Sequence, residues 1–163
     1  MKAFLVFRGI VVSTAFVSTW AWIAVVLRRR YDASLPPLPG WLWPLGVVLV
    51  VVGGLLALSC VVVFIGRGRG TPAPFDPPRA FVATGPYRFV RNPMYIGAIA
   101  VLEGAAMIFR SPSIAILGVV YWILAHALVL LYEERTLRTR FGESYALYRS
   151  RVRRWLPRLR PGG

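Results

Sequence analysis

Histidine and cysteine occur once each in this chain of 163 residues, at His126 and Cys60, and acidic side chains occur only six times. A lone cysteine excludes an internal disulfide and leaves the redox compartment unreadable. One histidine and one cysteine supply no thiolate or imidazole set for zinc, so no metal is expected. Charge of either sign is scarce, at 16% of residues, where a soluble domain carries about a quarter. What fills the chain instead is apolar: 57% of residues are hydrophobic and the mean hydropathy is +0.61.

The apolar residues fall in long runs. Gly9 to Leu27 is 19 residues without a formal charge, Trp41 to Ile65 is 25, and Ser111 to Tyr132 is 22 with His126 inside. Each is long enough to cross a hydrocarbon core of roughly 30 Å at about 1.5 Å per residue. The first run is read as a retained helix rather than a signal peptide. Its apolar core exceeds the usual length, and it ends in Arg28, Arg29 and Arg30 with no small-residue cleavage site.

The expectation is an all-α integral membrane protein: a bundle of about four transmembrane helices with a cytoplasmic C-terminal helical tail. Residues 1–163 form one membrane domain. Residues 1–65 hold two spans, about Phe4–Leu27, with Arg8 near enough to its end to snorkel, and about Trp41–Ile65. In the second, Gly53-Gly54 allows close approach of another helix. Residues 66–92 make a flexible, basic, membrane-proximal loop, because Gly-Arg-Gly-Arg-Gly and the proline-rich 71–78 segment cannot be helical. That glycine run lacks G-x-G-x-x-G spacing and follows no evident strand, which speaks against a dinucleotide fold. Residues 93–163 hold a short helix, about Met94–Phe109, then a longer one from about Ser113 through Tyr132 and its charged extension.

Net charge is +14, and 19 of the 20 basic residues are arginine. In a membrane protein this reads as basic loops on the cytoplasmic side near anionic headgroups, not as nucleic-acid binding. The 66–92 loop carries five arginines and the chain after Tyr132 nine, against Arg110 alone between the third and fourth helices. That places the loop, the tail and the site in the cytoplasm, across what is expected to be a bacterial inner membrane. Arg28, Arg29 and Arg30 then lie outside, against the trend, which leaves room for a tilted or re-entrant first helix.

Ionisable groups inside spans are costly and point to function. Glu103 sits within the third helix and His126 within the fourth. Helical spacing puts Trp122, His126, Leu130 and Glu133 on one stripe running toward water, with Glu134 beside it. A second constellation is 84–97, Thr-Gly-Pro-Tyr-Arg-Phe-Val-Arg-Asn-Pro-Met-Tyr-Ile-Gly. Two turn signals flank an aromatic, basic segment, and Pro93 suits a first helical turn, where free N–H groups near Arg91 and Asn92 favour a ligand carboxylate. An interfacial anchor of Tyr, Phe and Arg is the plainer alternative.

The segment Gly85-Pro-Tyr-Arg-Phe-Val-Arg-Asn-Pro-Met-Tyr-Ile-Gly97, then Glu133-Glu134 with Leu137, then Phe141-Gly-Glu-Ser-Tyr-Ala-Leu-Tyr148 and Arg151-Val-Arg-Arg-Trp-Leu-Pro157 stand in one order. Over about residues 80–157 this resembles the superfamily of isoprenylcysteine carboxyl methyltransferases and phospholipid methyltransferases. The resemblance implies S-adenosylmethionine as methyl donor, S-adenosylhomocysteine as product, no metal, and a lipophilic acceptor entering from the bilayer among membrane lipids. It puts Tyr87, Arg91, Asn92, Pro93, Tyr95 and Glu133-Glu134 at cofactor-site motif positions, with His126 added by its spacing, and Arg91 and Arg151 at arginines suited to the reaction centre. The best-known members have Arg-His-Pro where this chain has Arg91-Asn92-Pro93; asparagine keeps hydrogen bonding but loses titration. A non-catalytic binding or assembly protein of the same fold, or a reductase-like relative using NADPH, stays open beside a methyltransferase, as do the acceptor and the oligomeric state.

Overall fold

The computed structural model describes residues 2–64, 66 and 82–157, without the side chains of residues 2–6 and 8. The glycine-arginine and proline-rich part of the expected loop, residues 67–81, lies outside the described residues, as do the snorkelling of Arg8 and the end of the tail. The described residues are helical and turn structure, with no strand among them. In chain order the helices are α1 Lys2–Tyr31, α2 Trp43–Val63, α3 Pro93–Ile108, α4 Pro112–Leu128 and α5 Glu134–Arg151. Three are long and apolar enough to cross a membrane: Gly9–Ser34, Gly40–Val63 and Pro112–Arg151, the last combining α4 with its continuation. The 16-residue α3 measures about 24 Å, short of a full hydrocarbon core.

Glycines set the tightest contact. α2 and α3 run antiparallel, with Gly46 against Gly104 and Gly53 against Gly97; a Cβ on any of the four would meet a backbone atom of the other helix. In each helix the two glycines are seven residues apart, two turns, and so face the same way. Of the Gly53-Gly54 pair only Gly53 makes the approach; nothing lies within 4 Å of a Cβ on Gly54. Gly97→Val is therefore expected to destabilise the bundle by about 1–3 kcal/mol through overpacking. Gly54→Ala should hold or raise stability through helix propensity. Thermal unfolding of both variants in one detergent checks this, and equal behaviour would refute the glycine seam.

α1 packs on α4 through Ala24, Ile114 and Leu117, which join Ala106 of α3 in one core. Trp20 meets Tyr121 edge-on with ring centroids 4.7 Å apart. Elsewhere the helices expose Leu55, Leu58, Val62, Val119, Ile123 and Leu124, an apolar surface suited to lipid rather than water.

At the α3–α4 turn, Ser111 is the N-cap of α4 and accepts from the Ile114 N–H at 3.2 Å. Asp32, just past α1, accepts from the Ser113 N–H at 3.1 Å. Two donors left over by the start of α4 are thereby satisfied, one of them from another element. This up-down course places residues 82–95, the end of α4, and α5 at one end of the bundle, and Arg28–Arg30 with Arg110 at the other.

Candidate functional site

The site end is organised by a break in helical register. Between α4 and α5 the residues Val129–Glu133 form a π turn. A π turn inserts about one residue, so whatever follows lags behind its expected face. Glu134 is thereby turned inward beside Glu133: its side chain is 6% exposed. Leu130, expected on the same stripe, is turned outward.

Glu134 gathers arginines from three elements. Arg91 donates through Nη1 at 2.9 Å, and Arg154 through Nε at 2.7 Å and Nη2 at 3.2 Å. Arg138, one turn along α5, stands 3.9 Å away. The Arg91 side chain is 11% exposed, so its pair with Glu134 is a buried one, worth keeping only because both charges are compensated. Hydrogen bonding to Glu134 pushes the Arg154 guanidinium above its already high ordinary value, so it stays charged.

Glu133 does something different. It accepts a short hydrogen bond from the Tyr95 hydroxyl, one turn into α3. Tyr95 packs toward Tyr121 and Trp155, each with centroids 6.4 Å away. Trp155 donates through Nε1 to His126 Nδ1 at 2.9 Å. Trp122, His126 and Trp155 form a series with spacings of 5.6 and 5.8 Å and tilts of 31° and 30°. The sequence thus placed Trp122 and His126 on one face, and the structure inserts Trp155 from the tail beside them.

The tail reaches this place by two departures from helix. Gly142 has φ +48° and ψ −120° inside α5, a conformation glycine tolerates best. Beyond it Tyr145 is buried and hydrogen-bonded with Arg91, and the Tyr148 hydroxyl donates to the Tyr87 carbonyl at 2.7 Å. At Val152 the chain leaves the helix through extended backbone; Val152 is buried, Arg153 exposed, and Arg154 and Trp155 are both partly buried, on Glu134 and His126. One backbone and one side-chain bond fasten this strap, Arg91 N–H to the Arg153 carbonyl at 2.9 Å and Asn92 Nδ2 to the Arg154 carbonyl at 3.1 Å.

Of the residues singled out in the sequence, Arg91, Asn92, Tyr95, His126, Glu133 and Glu134 are brought together here. Pro93 opens α3 as its first residue, and Asn92 is the N-cap but does not cap with its side chain, which goes to the tail instead. Tyr87 stands behind, buried against Phe64 and hydrogen-bonded to Cys60. Burial, with Cys60 and Tyr148 close by, pushes the Tyr87 hydroxyl well above its ordinary value and keeps it neutral. Arg151 is exposed on the last turn of α5. Arg154 and Trp155 lie outside the site residues that the resemblance implies, which stop at Arg151, the last residue of α5. The signal that could have found them is the Arg-Arg-Trp triplet ahead of Pro157, a basic-aromatic cluster in a segment where proline forbids helix.

Arg154→Lys is accordingly expected to lower ligand affinity or turnover by about tenfold or more, because an ammonium cannot reproduce the fork on Glu134. Arg153→Lys should change little. Assaying Arg151→Lys alongside decides its role: a comparable loss places it at the reaction centre, and wild-type behaviour leaves it a surface residue.

A donor such as S-adenosylmethionine can be tested against these groups. Arg91 Nε is buried with no hydrogen-bond partner, as is Thr84 Oγ1 four residues before Arg88. Buried orphan donors are uncommon and ask for an acceptor, which a ligand carboxylate supplies. One oxygen of Glu133 is bonded to Tyr95, and the second suits a ribose hydroxyl or an ammonium. The ring series suits a flat base or a sulfonium. The groups fit. Among the described residues no cluster of three or more His, Cys, Asp or Glu is placed to hold a metal ion.

Three helices long and apolar enough to cross a membrane, with a polar, aromatic-walled cluster at one end of the bundle, define a class, the multi-helix integral membrane proteins. Residues 42–144 match the phospholipid methyltransferase family. The chain belongs to that family, whose members transfer methyl groups. It is similar to the cobalt-zinc-cadmium resistance protein CzcN of Cupriavidus metallidurans, 29% identical over 133 residues, covering 81% of this chain and 56% of CzcN. The chain therefore spans little more than half the length of that relative. No solved structure matches it.

Proposed function

We propose that the chain is a membrane methyltransferase that takes its methyl group from S-adenosylmethionine and passes it to a lipophilic small molecule or lipid entering from the bilayer. The site end faces the cytoplasm, as the arginine excess of residues 66–92 and the tail supports. The observation that carries the reading is a buried, unpartnered Arg91 Nε in the same cluster as the Tyr95-bonded Glu133 carboxylate and the Trp122–His126–Trp155 rings.

S-adenosylmethionine, when bound, supplies an electrophilic methyl group on a sulfonium. Glu133, oriented by Tyr95, accepts hydrogen bonds from the nucleoside or amino-acid part of the donor. Trp155, held by His126, offers a ring face. Arg91 directs Nε toward a carboxylate, either the donor's own or that of an acceptor, and Glu134 holds Arg91 so that this direction is set before ligands arrive. Such pre-organisation of two reactants accounts for most of what a direct displacement requires. Asn92 cannot exchange a proton, and it instead ties the tail over the site through the Arg154 carbonyl.

Thermal stabilisation of the detergent-purified protein by S-adenosylhomocysteine tests the donor site, with NADPH as control. Incorporation of label from methyl-labelled donor into a lipid extract tests turnover. No shift with S-adenosylhomocysteine overturns the proposal, and a shift without transfer reduces the protein to a binding member of its family.

A further inference from the structure

The far end of the bundle carries a second site that the methyl-transfer reading does not use. A cleft of about 710 Å³ opens there, lined by Arg28, Arg29 and Arg110, by Asp32, and by apolar side chains including Val25 and Phe109. We propose that this cleft binds the phosphate of an anionic glycerophospholipid, with the first part of its acyl chains along Val25 and Phe109.

The charge balance points that way. Three arginines face one carboxylate, and that carboxylate is already engaged: Asp32 accepts from the Ser113 N–H at 3.1 Å and pairs with Arg28 at 4.0 Å. The arginines are placed rather than waving. Arg28 stacks on the Phe109 ring, 4.8 Å from its centroid, and Arg110 donates from Nε to the Leu38 carbonyl at 2.9 Å. Holding Nε leaves the two terminal nitrogens of Arg110 for an anion, in the fork geometry that suits phosphate.

The backbone gives an independent sign. Arg110 has φ +53° and follows the end of α3, with the Ser111 N–H returning to the Ala106 carbonyl at 2.8 Å. This is the closing turn in which glycine is the usual residue, because only glycine adopts it without steric cost. A charged residue in strained backbone is a mark of use. Depth agrees: the cleft lies where α1 ends and α4 begins, near the exposed Trp41, just before α2, and Trp43, its first residue, the level at which tryptophans meet headgroups. An anionic headgroup here also accounts for Arg28 and Arg29 standing at the end opposite the other basic segments.

The test uses the full chain in detergent micelles and compares melting shifts with phosphatidylglycerol, phosphatidylcholine and inorganic phosphate, for the wild type, Arg110→Gly and the double variant Arg28→Gln/Arg29→Gln. Phosphatidylglycerol is expected to stabilise the wild type well beyond phosphatidylcholine, and its affinity, read by native mass spectrometry, to fall about fivefold per arginine removed. Arg110→Gly should melt no lower than the wild type without added lipid, because its turn is relaxed, yet lose most of the phosphatidylglycerol shift. Equal shifts with the two lipids overturn the proposal, as does a full phosphatidylglycerol shift in Arg110→Gly. Inorganic phosphate matching phosphatidylglycerol makes the cleft a site for a soluble anion and overturns the lipid assignment. Neither arm depends on methyl transfer.

Discussion

Glu134→Ala is expected to cost about 3–5 kcal/mol of stability and to abolish donor binding with it. The carboxylate is buried, and three arginines converge on it. Its removal leaves Arg91 charged, desolvated and without its counterion, the situation in which breaking a buried pair is most damaging. The loss should extend to the tail, since Arg154 anchors the strap through Glu134 and the strap carries Trp155 to His126. Two measurements check this: a lowered melting temperature in detergent, and trypsin cleavage at Arg153 or Arg154 at protease levels the wild type resists. Glu133→Gln is the contrast. It keeps the shape and a hydrogen bond to Tyr95, and should leave stability within about 1 kcal/mol while weakening S-adenosylhomocysteine. If Glu134→Ala melts like the wild type with its tail protected, the arginine cluster does not hold the site together.

Arg91→Lys is expected to lower turnover by about 10- to 100-fold with little change in folded yield. A lysine keeps the charge that Glu134 needs, so the buried pair survives. It cannot also hydrogen-bond with Tyr145 and present a third nitrogen at the Nε position. Losing one hydrogen bond to a charged group removes about 1.5–3 kcal/mol, which corresponds to that range of rate. Separating the constants locates the effect. A rise in KM for the donor with kcat unchanged assigns Nε to the donor carboxylate, and a fall in kcat at unchanged S-adenosylhomocysteine affinity assigns it to the acceptor. Wild-type kinetics would leave Arg91 a structural partner of Glu134 alone.

Fold class was legible in the chain because lipid imposes a coarse rule. A backbone in hydrocarbon must satisfy its own hydrogen bonds, so long uncharged runs mean helices, and their order follows from the breaks between them. The runs from Gly9, Trp41 and Ser111 became α1, α2 and α4, with boundaries a few residues away. Local chemistry was legible too: Pro93 opened α3, and Asn92, Tyr95, His126 and the two glutamates met at one end.

Sequence by itself determined that this chain is an apolar helical bundle whose ionisable residues, Glu103 within α3 apart, gather near the ends of its helices, because burying charge in lipid leaves few other arrangements. Tertiary structure alone decided which of those residues touch. A π turn at Val129–Glu133 turned Glu134 inward as well as Glu133, whereas spacing rules assume a constant 3.6 residues per turn. Gly142 and the non-helical chain from Val152 brought Arg154 and Trp155 inward in place of Arg151. Those contacts join residues up to 62 apart, such as Asn92 and Arg154, and no local periodicity encodes a pairing made by a chain that turns back on itself.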